Sequence, residues 1–206
     1  MDGVPVTRRA DERMAGAGAR IATVMGTLKT EPARARLDLL AAPVAAAVER
    51  WPDEAPVDVD EVLVAPIDAE LADTAAFCEA YEVGLEESAN CVVVAGKRGG
   101  ETRYAACIVL ATTRADVNGV VRRLLDVRKA SFAPMAEAVE LTGMEYGGIT
   151  PIGLPEEWPI LVDSRVIATP HVIIGSGVRH SKIALPGPAL GALPGARVVE
   201  DLARPA

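Results

Sequence analysis

Apolar residues recur at steps of three and four through Leu37, Leu40, Val44, Val48 and Trp51, a spacing that places them on one face of a helix. Pro43 falls inside that run, and a proline there breaks the helix unless it opens a second one. Upstream, residues 1–30 are rich in Gly, Ala, Arg and Thr. They read as a loose extension with a short helix at Arg20–Leu28, because each glycine in Ala15–Ala19 costs a helix about 1 kcal/mol against alanine. Downstream, the proline- and acid-rich Trp51–Asp60 segment reads as a surface linker. It divides the chain into an N-terminal extension, 1–60, and a main domain, 61–206.

Past the linker, strand and helix patterns interleave. Val62–Ile67 is an apolar run of strand length. Asp73–Glu82 has Phe77 and Tyr81 one helical turn apart. Cys91–Ala95 and Thr102–Leu110, joined across Gly96-Lys97-Arg98-Gly99-Gly100, predict a β-hairpin with a glycine-rich turn. Asp116 is placed to cap a helix running to Leu125. Pro134–Thr142 predicts another, closed by Gly143. Short strands follow at Ile160–Val162, His171–Ile174, Lys182–Leu185 and Arg197–Val199. The fold class expected is α+β, with one curled, barrel-like mixed sheet and helices outside it.

Composition narrows the function. Half of the 206 residues are apolar but only 3% are aromatic, so the core must be built from aliphatic side chains. Cys78, Cys91 and Cys107 are odd in number and form no C-x-x-C pair, which excludes a disulfide framework and suits a reducing, cytoplasmic setting. No apolar run approaches a membrane span. A net charge of −8 excludes coating nucleic acid through many phosphate contacts and leaves room for a local contact with one end. His171 and His180 belong to no metal-ligand pattern; neither a metal nor a cofactor is expected.

Two glycine segments carry the chemistry. Gly147-Gly148-Ile149-Thr150-Pro151-Ile152-Gly153-Leu154-Pro155 fixes a particular backbone path, because proline sets φ and glycine admits close approach. Such a loop either presents N–H groups to a carbonyl or oxyanion or simply connects a helix to a strand. Gly175-Ser176-Gly177, in Ile174–His180, lacks the third glycine of a dinucleotide fingerprint and is no G-x-S-x-G elbow. Its glycines suit a tight strand connection. Thr74 heads a helix and reads as its N-terminal cap. Asp163 ends a strand, as a site carboxylate or as the cap of the next turn. Cys91 has no histidine near it in sequence and reads as a small buried hydrophobe.

Taken together, Arg128-Lys129-Ala130-Ser131-Phe132-Ala133, Gly148-Ile149-Thr150-Pro151, Pro159–Asp163 and Ile174–Gly177 resemble the YbaK/EbsC family, over Asp73–Asp201, about two thirds of the chain. That family includes ProX-type proteins and the editing domain inserted in bacterial prolyl-tRNA synthetases. The resemblance implies hydrolysis of small amino acids wrongly attached to tRNA, and contact with the tRNA acceptor end, aided by a synthetase. It implies a catalytic role for the Asn90 position, Gly148 and Pro151, with substrate binding by Gly147, Ile149, Thr150, Asp163, Gly175, Ser176, Gly177 and Thr74. The family carries a lysine where this chain has Asn90. An asparagine offers neutral hydrogen bonds, worth about 0.5–1.5 kcal/mol against about 1.5–3 for charged ones. Two functions lead, a deacylase or a non-catalytic module that keeps an aminoacyl or nucleotide pocket, with an unrelated small-ester hydrolase using Ser176 as a third.

Overall fold

In the computed structural model, residues 25–206 are described. The expected loose start lies outside them, as do residues 20–24 of the expected Arg20–Leu28 helix; its remainder is a turn with Gly26 at φ 52°. The single helix suggested by the Leu37–Trp51 spacing is divided. Two 3-10 turns, Ala33–Ala35 and Leu37–Leu39, precede α1 (Ala42–Glu49), which carries Pro43 in its first turn. A proline is tolerated there because the first-turn N–H groups have no intrahelical partner.

Among the described residues, eleven strands are distributed over three sheets. The first sheet joins β1 (Glu31–Pro32), β2 (Leu63–Pro66), β9 (Ser181–Pro186) and β8 (His171–Gly175) in that order, all antiparallel. The second has the order β10 (Ala196–Val199), β7 (Ile160–Asp163), β4 (Glu101–Leu110), β3 (Ala89–Arg98), β6 (Ala130–Phe132). It is mixed: β7 runs parallel to both β10 and β4, while β3 is antiparallel to β4 and β6. A small third sheet pairs β11 (Ala203–Pro205) with β5 (Thr113–Ala115).

The fold is thus α+β with mixed sheet, but the expected curled barrel is not formed. Closure needs a continuous, staggered ladder, and the two large sheets meet only at an isolated parallel bridge, Ser88 to Ile173. Their edges stop short for local reasons. β1 is two residues long and ends at Pro32, and β6 is three residues long with Pro134 soon after it. A proline cannot donate to a further strand.

The largest core cluster lies between the sheets, where Val64, Ile174, Ile183 and Leu185 meet Ile108, Val162 and the α1 residues Val44 and Val48. Alternate residues of β4 point the other way: Ala105, Cys107 and Val109 pack with Val117, Val121, Leu125 and Leu202. Burial on both faces explains why β4 ends in an unbroken apolar run. Each fully buried aliphatic side chain contributes about 1.5–3 kcal/mol. On the outer face of the first sheet, α2 (Thr74–Tyr81) buries Phe77 and Cys78 against Ile173 and Ala184. That packing fixes the head of α2 beside the junction of the two sheets.

The helix capped by Asp116 begins as a wide π turn, Val117–Val121, and continues as α3 (Arg122–Leu124). The Asp116 carboxylate accepts from Gly119 N and Val120 N. α4 (Met135–Thr142) ends at Gly143 with φ 65°, the left-handed stop expected of a glycine there. Two short helices, α5 (Ser164–Ala168) and α6 (Gly187–Gly191), follow later in the chain.

Candidate functional site

A cleft of about 470 Å³ opens where the sheets meet. β3 contributes Asn90 and Cys91, the head of α2 contributes Thr74, the loop after α4 contributes Gly147 and Ile149, and β8 contributes Gly175. Asn90 is half-buried. The Thr74 hydroxyl does not cap its helix; it donates to Asn90 Oδ1 at 2.8 Å. With Oδ1 occupied, the donors left to Asn90 are the two N–H bonds of Nδ2. A donor held in place before a carbonyl arrives is what stabilisation of an oxyanion requires.

The two glycine segments lock together through their backbones. Gly148 N donates to Glu145 O at 2.9 Å, Gly177 N donates to Gly148 O at 2.7 Å, and Glu145 N donates to Gly177 O at 2.8 Å. A Cβ on Gly175 would lie 2.3 Å from Gly148 O, and one on Gly148 would lie 2.6 Å from Val178 O. Only glycine permits that approach. The Gly148 N–H is therefore engaged within the loop, and Gly147 and Ile149 are the loop residues that border the cleft.

The other residues singled out in sequence lie elsewhere. Thr150 is buried; its N–H faces Met144 Sδ at 3.5 Å, and its hydroxyl has no hydrogen-bond partner among the described residues. Pro151 borders a different cavity. Ser176 is buried, with its hydroxyl 2.7 Å from that of Ser181 and 3.0 Å from Ser181 O, and no histidine among its partners. Gly177 is packed against Ala41 and Val44. Asp163 is buried at the end of β7; it accepts from Arg165 N and Ala203 N, tying α5 and β11 to the sheet. Cys91 reaches the cleft, but burial pushes its thiol well above the ordinary range, and Cys107 behind it is pushed up to about 12. Neither is a thiolate nucleophile near neutral pH.

Three contributors to the cleft were not singled out from sequence. Lys182, on β9, donates from Nζ to Ala72 O at 2.9 Å and lies 5.1 Å over the Phe77 ring. Burial lowers its pKa, and Arg179 acts in the same direction. Phe132 and Tyr146 also border the opening and are 61% and 60% exposed. In a chain so poor in aromatics, two exposed rings at one opening were the available signal, but only the fold brings them together. Among the described residues, no three His, Cys, Asp or Glu side chains gather into a metal-binding group, and no helix is long and apolar enough to cross a membrane.

The profile of the family described as "Aminoacyl-tRNA editing domain" matches residues 68–192, a span holding every residue of the cleft. No curated protein matches the chain. Among solved structures, one similar chain is a proposed trans-editing enzyme for prolyl tRNA synthetase, at 22% identity and TM-score 0.64, covering 78% of this chain and 94% of that one. A scaffold protein used in computational epitope grafting matches at 22% identity and TM-score 0.64, over 78% of this chain and 95% of its own. A hypothetical protein, APE2540, matches at 21% identity and TM-score 0.64, over 77% and 99%. At these identities the likeness is one of fold.

Proposed function

The chain belongs to the aminoacyl-tRNA editing domain family, and from that membership we propose that it is a trans-acting deacylase releasing small amino acids mischarged on tRNA. The editing domain is assigned to residues 61–206 and the chemistry to the Asn90 cleft. The observation that carries this reading is the Thr74–Asn90 hydrogen bond, which turns the Asn90 amide so that its N–H bonds are available to an acyl carbonyl. Gly147 and Ile149 line the facing wall, and Gly148, Pro151 and the Gly175–Gly177 turn hold that wall in place.

In the proposed reaction, a water molecule adds to the ester carbonyl and the developing oxyanion is met by Asn90 Nδ2. The new carbon–oxygen bond forms, the ester carbon–oxygen bond breaks, and the proton lost by water ends on the departing ribose oxygen. Asn90 offers a neutral donor, and removing one such donor costs about 10²–10³ in kcat. A closed wall sorts acyl groups by size, each methylene being worth about 1–3 kcal/mol. The protein's net charge of −8 fits contact limited to the acceptor end, with a synthetase presenting the tRNA.

A panel of tRNAs mischarged with small and large amino acids tests this reading. Purified protein should release the small ones well above spontaneous hydrolysis and spare the large ones. The second reading, a binding module, is favoured by the neutral amide of Asn90, which stands where the family carries a lysine. It wins if nothing is released while a non-hydrolysable aminoacyl-adenosine analogue still binds.

A further inference from the structure

Lys182 is the one lysine bordering this cleft, and it has no acidic partner. Among the described residues no carboxylate lies within salt-bridge distance of Nζ, and Asp73, which also borders the cleft, is paired to Arg179 at 3.2 Å. An ammonium has three donors; Ala72 O takes one, and the Phe77 ring lies beneath the charge. A half-buried ammonium held this way has lost part of its hydration without gaining a carboxylate in direct contact, Asp73 acting on it only at a distance, which is unfavourable until an anion arrives. The lowered pKa of Lys182, caused first by burial and then by Arg179, expresses the same deficit. At this end of the cleft Arg179 is flanked by two carboxylates, Asp73 at 3.2 Å from its guanidinium and Glu145 accepting from its backbone N–H at 2.6 Å, and Lys182 is, among the described residues, the cation with no carboxylate in direct contact.

The strand register relates this cation to Asn90. Ser88 bridges Ile173 in parallel, and two residues further along each strand stand Asn90 and Gly175. Gly175 in turn pairs with Lys182 across the β8–β9 ladder. Gly175 has no side chain, and the Gly148 and Ile149 carbonyls occupy the space where its Cβ would lie, so Asn90 and Lys182 stand on either side of that loop backbone.

We infer that Lys182 is the phosphate-binding cation of the cleft and holds the backbone phosphate of the nucleotide whose ribose carries the acyl ester. The inference takes its ligand from the deacylase reading. It adds a residue and a subsite that neither the glycine segments nor Asn90 provides. Lys182 touches the nucleotide and not the scissile carbonyl, so its loss weakens binding while the rate from the bound state is kept.

The test uses two stable amide analogues of an aminoacylated adenosine, alike except that one carries a 5′-phosphate, titrated calorimetrically into the full chain. The phosphorylated compound should bind about 10- to 100-fold more tightly, the range of one charged hydrogen-bonded contact. In Lys182→Met and Lys182→Gln, checked for folding by thermal melting, that difference should vanish while affinity for the unphosphorylated compound is kept. Equal affinity of the wild type for both compounds overturns the Lys182 assignment and leaves the deacylase site standing, and it does so even if neither variant folds. A preference for phosphate that persists in a folded variant also overturns it, moving the contact to Arg179. Failure of both compounds to bind overturns this inference together with the site itself.

Discussion

The segment Gly147–Pro155 borders two cavities of nearly equal size. One, of about 470 Å³, is the Asn90 cleft; the other, of about 480 Å³, lies between Pro151–Glu156 and the Trp51–Val57 stretch. Volume does not separate them. The second is walled by prolines, Trp51, Ile152, Leu154 and Leu193, with Arg50, Glu54 and Glu156 at its border, and the Trp51 indole N–H is engaged by Val57 O at 3.0 Å. It offers apolar contact without an oriented donor. The first has an amide fixed by a neighbouring hydroxyl, two backbone residues of the loop and an unpaired ammonium. A few placed polar groups in an apolar setting, rather than space, distinguish a chemical site.

Variants that act on one side only can break this contrast. Asn90→Ala should lower kcat of deacylation about 10²–10³-fold, with substrate affinity changing far less, measured by single-turnover kinetics on a mischarged tRNA. An unchanged rate would remove the first cleft's claim. Gly175→Ala puts a Cβ against Gly148 O. It should cost about 1–3 kcal/mol, read as a melting shift of roughly 2–4 °C per kcal/mol, and lower activity by displacing the loop. Thr74→Val frees the Asn90 amide to rotate and should slow the reaction about 3- to 10-fold, the equivalent of about 1 kcal/mol. In the Asn90→Ala background it should have no further effect; additive losses would show that Thr74 acts on its own. Leu193→Ala, in the apolar cavity, should cost up to about 2 kcal/mol of stability and leave kcat within about twofold of the wild type.

Local features were legible in the sequence wherever one residue's chemistry decides the outcome. Gly143 ends α4, Asp116 caps the following turn, and Pro43 opens α1; the β3–β4 hairpin forms as expected, but its turn is confined to Gly99-Gly100, Gly96–Arg98 extending β3 instead of belonging to the turn. Pairing between distant strands was less legible. Alternation shows that β7, β8 and β9 are strands but not which sheet each enters, so two sheets joined at one bridge read as a single curled one. β5, β6 and β11 are three residues each, too short to carry a period. At the site, the Gly147–Ile149 loop was marked by its residue types, whereas Asn90 and the pocket role of Thr74 were marked only by the family resemblance. The engagement of Gly148 N–H with Glu145 depends on loop geometry that composition does not encode. Lys182 read only as the first residue of a strand, because its distinction comes from α2, more than a hundred positions away in the chain, arriving over it.

The central claim is that substrate enters the Asn90 cleft and not its apolar neighbour. Backbone amide shifts on titration with the non-hydrolysable aminoacyl-adenosine analogue measure this directly. The account expects saturable shifts at Asn90, Gly147, Ile149 and Gly175, with Trp51, Leu154 and Leu193 unmoved. Shifts confined to Trp51, Leu154 and Leu193 would contradict it.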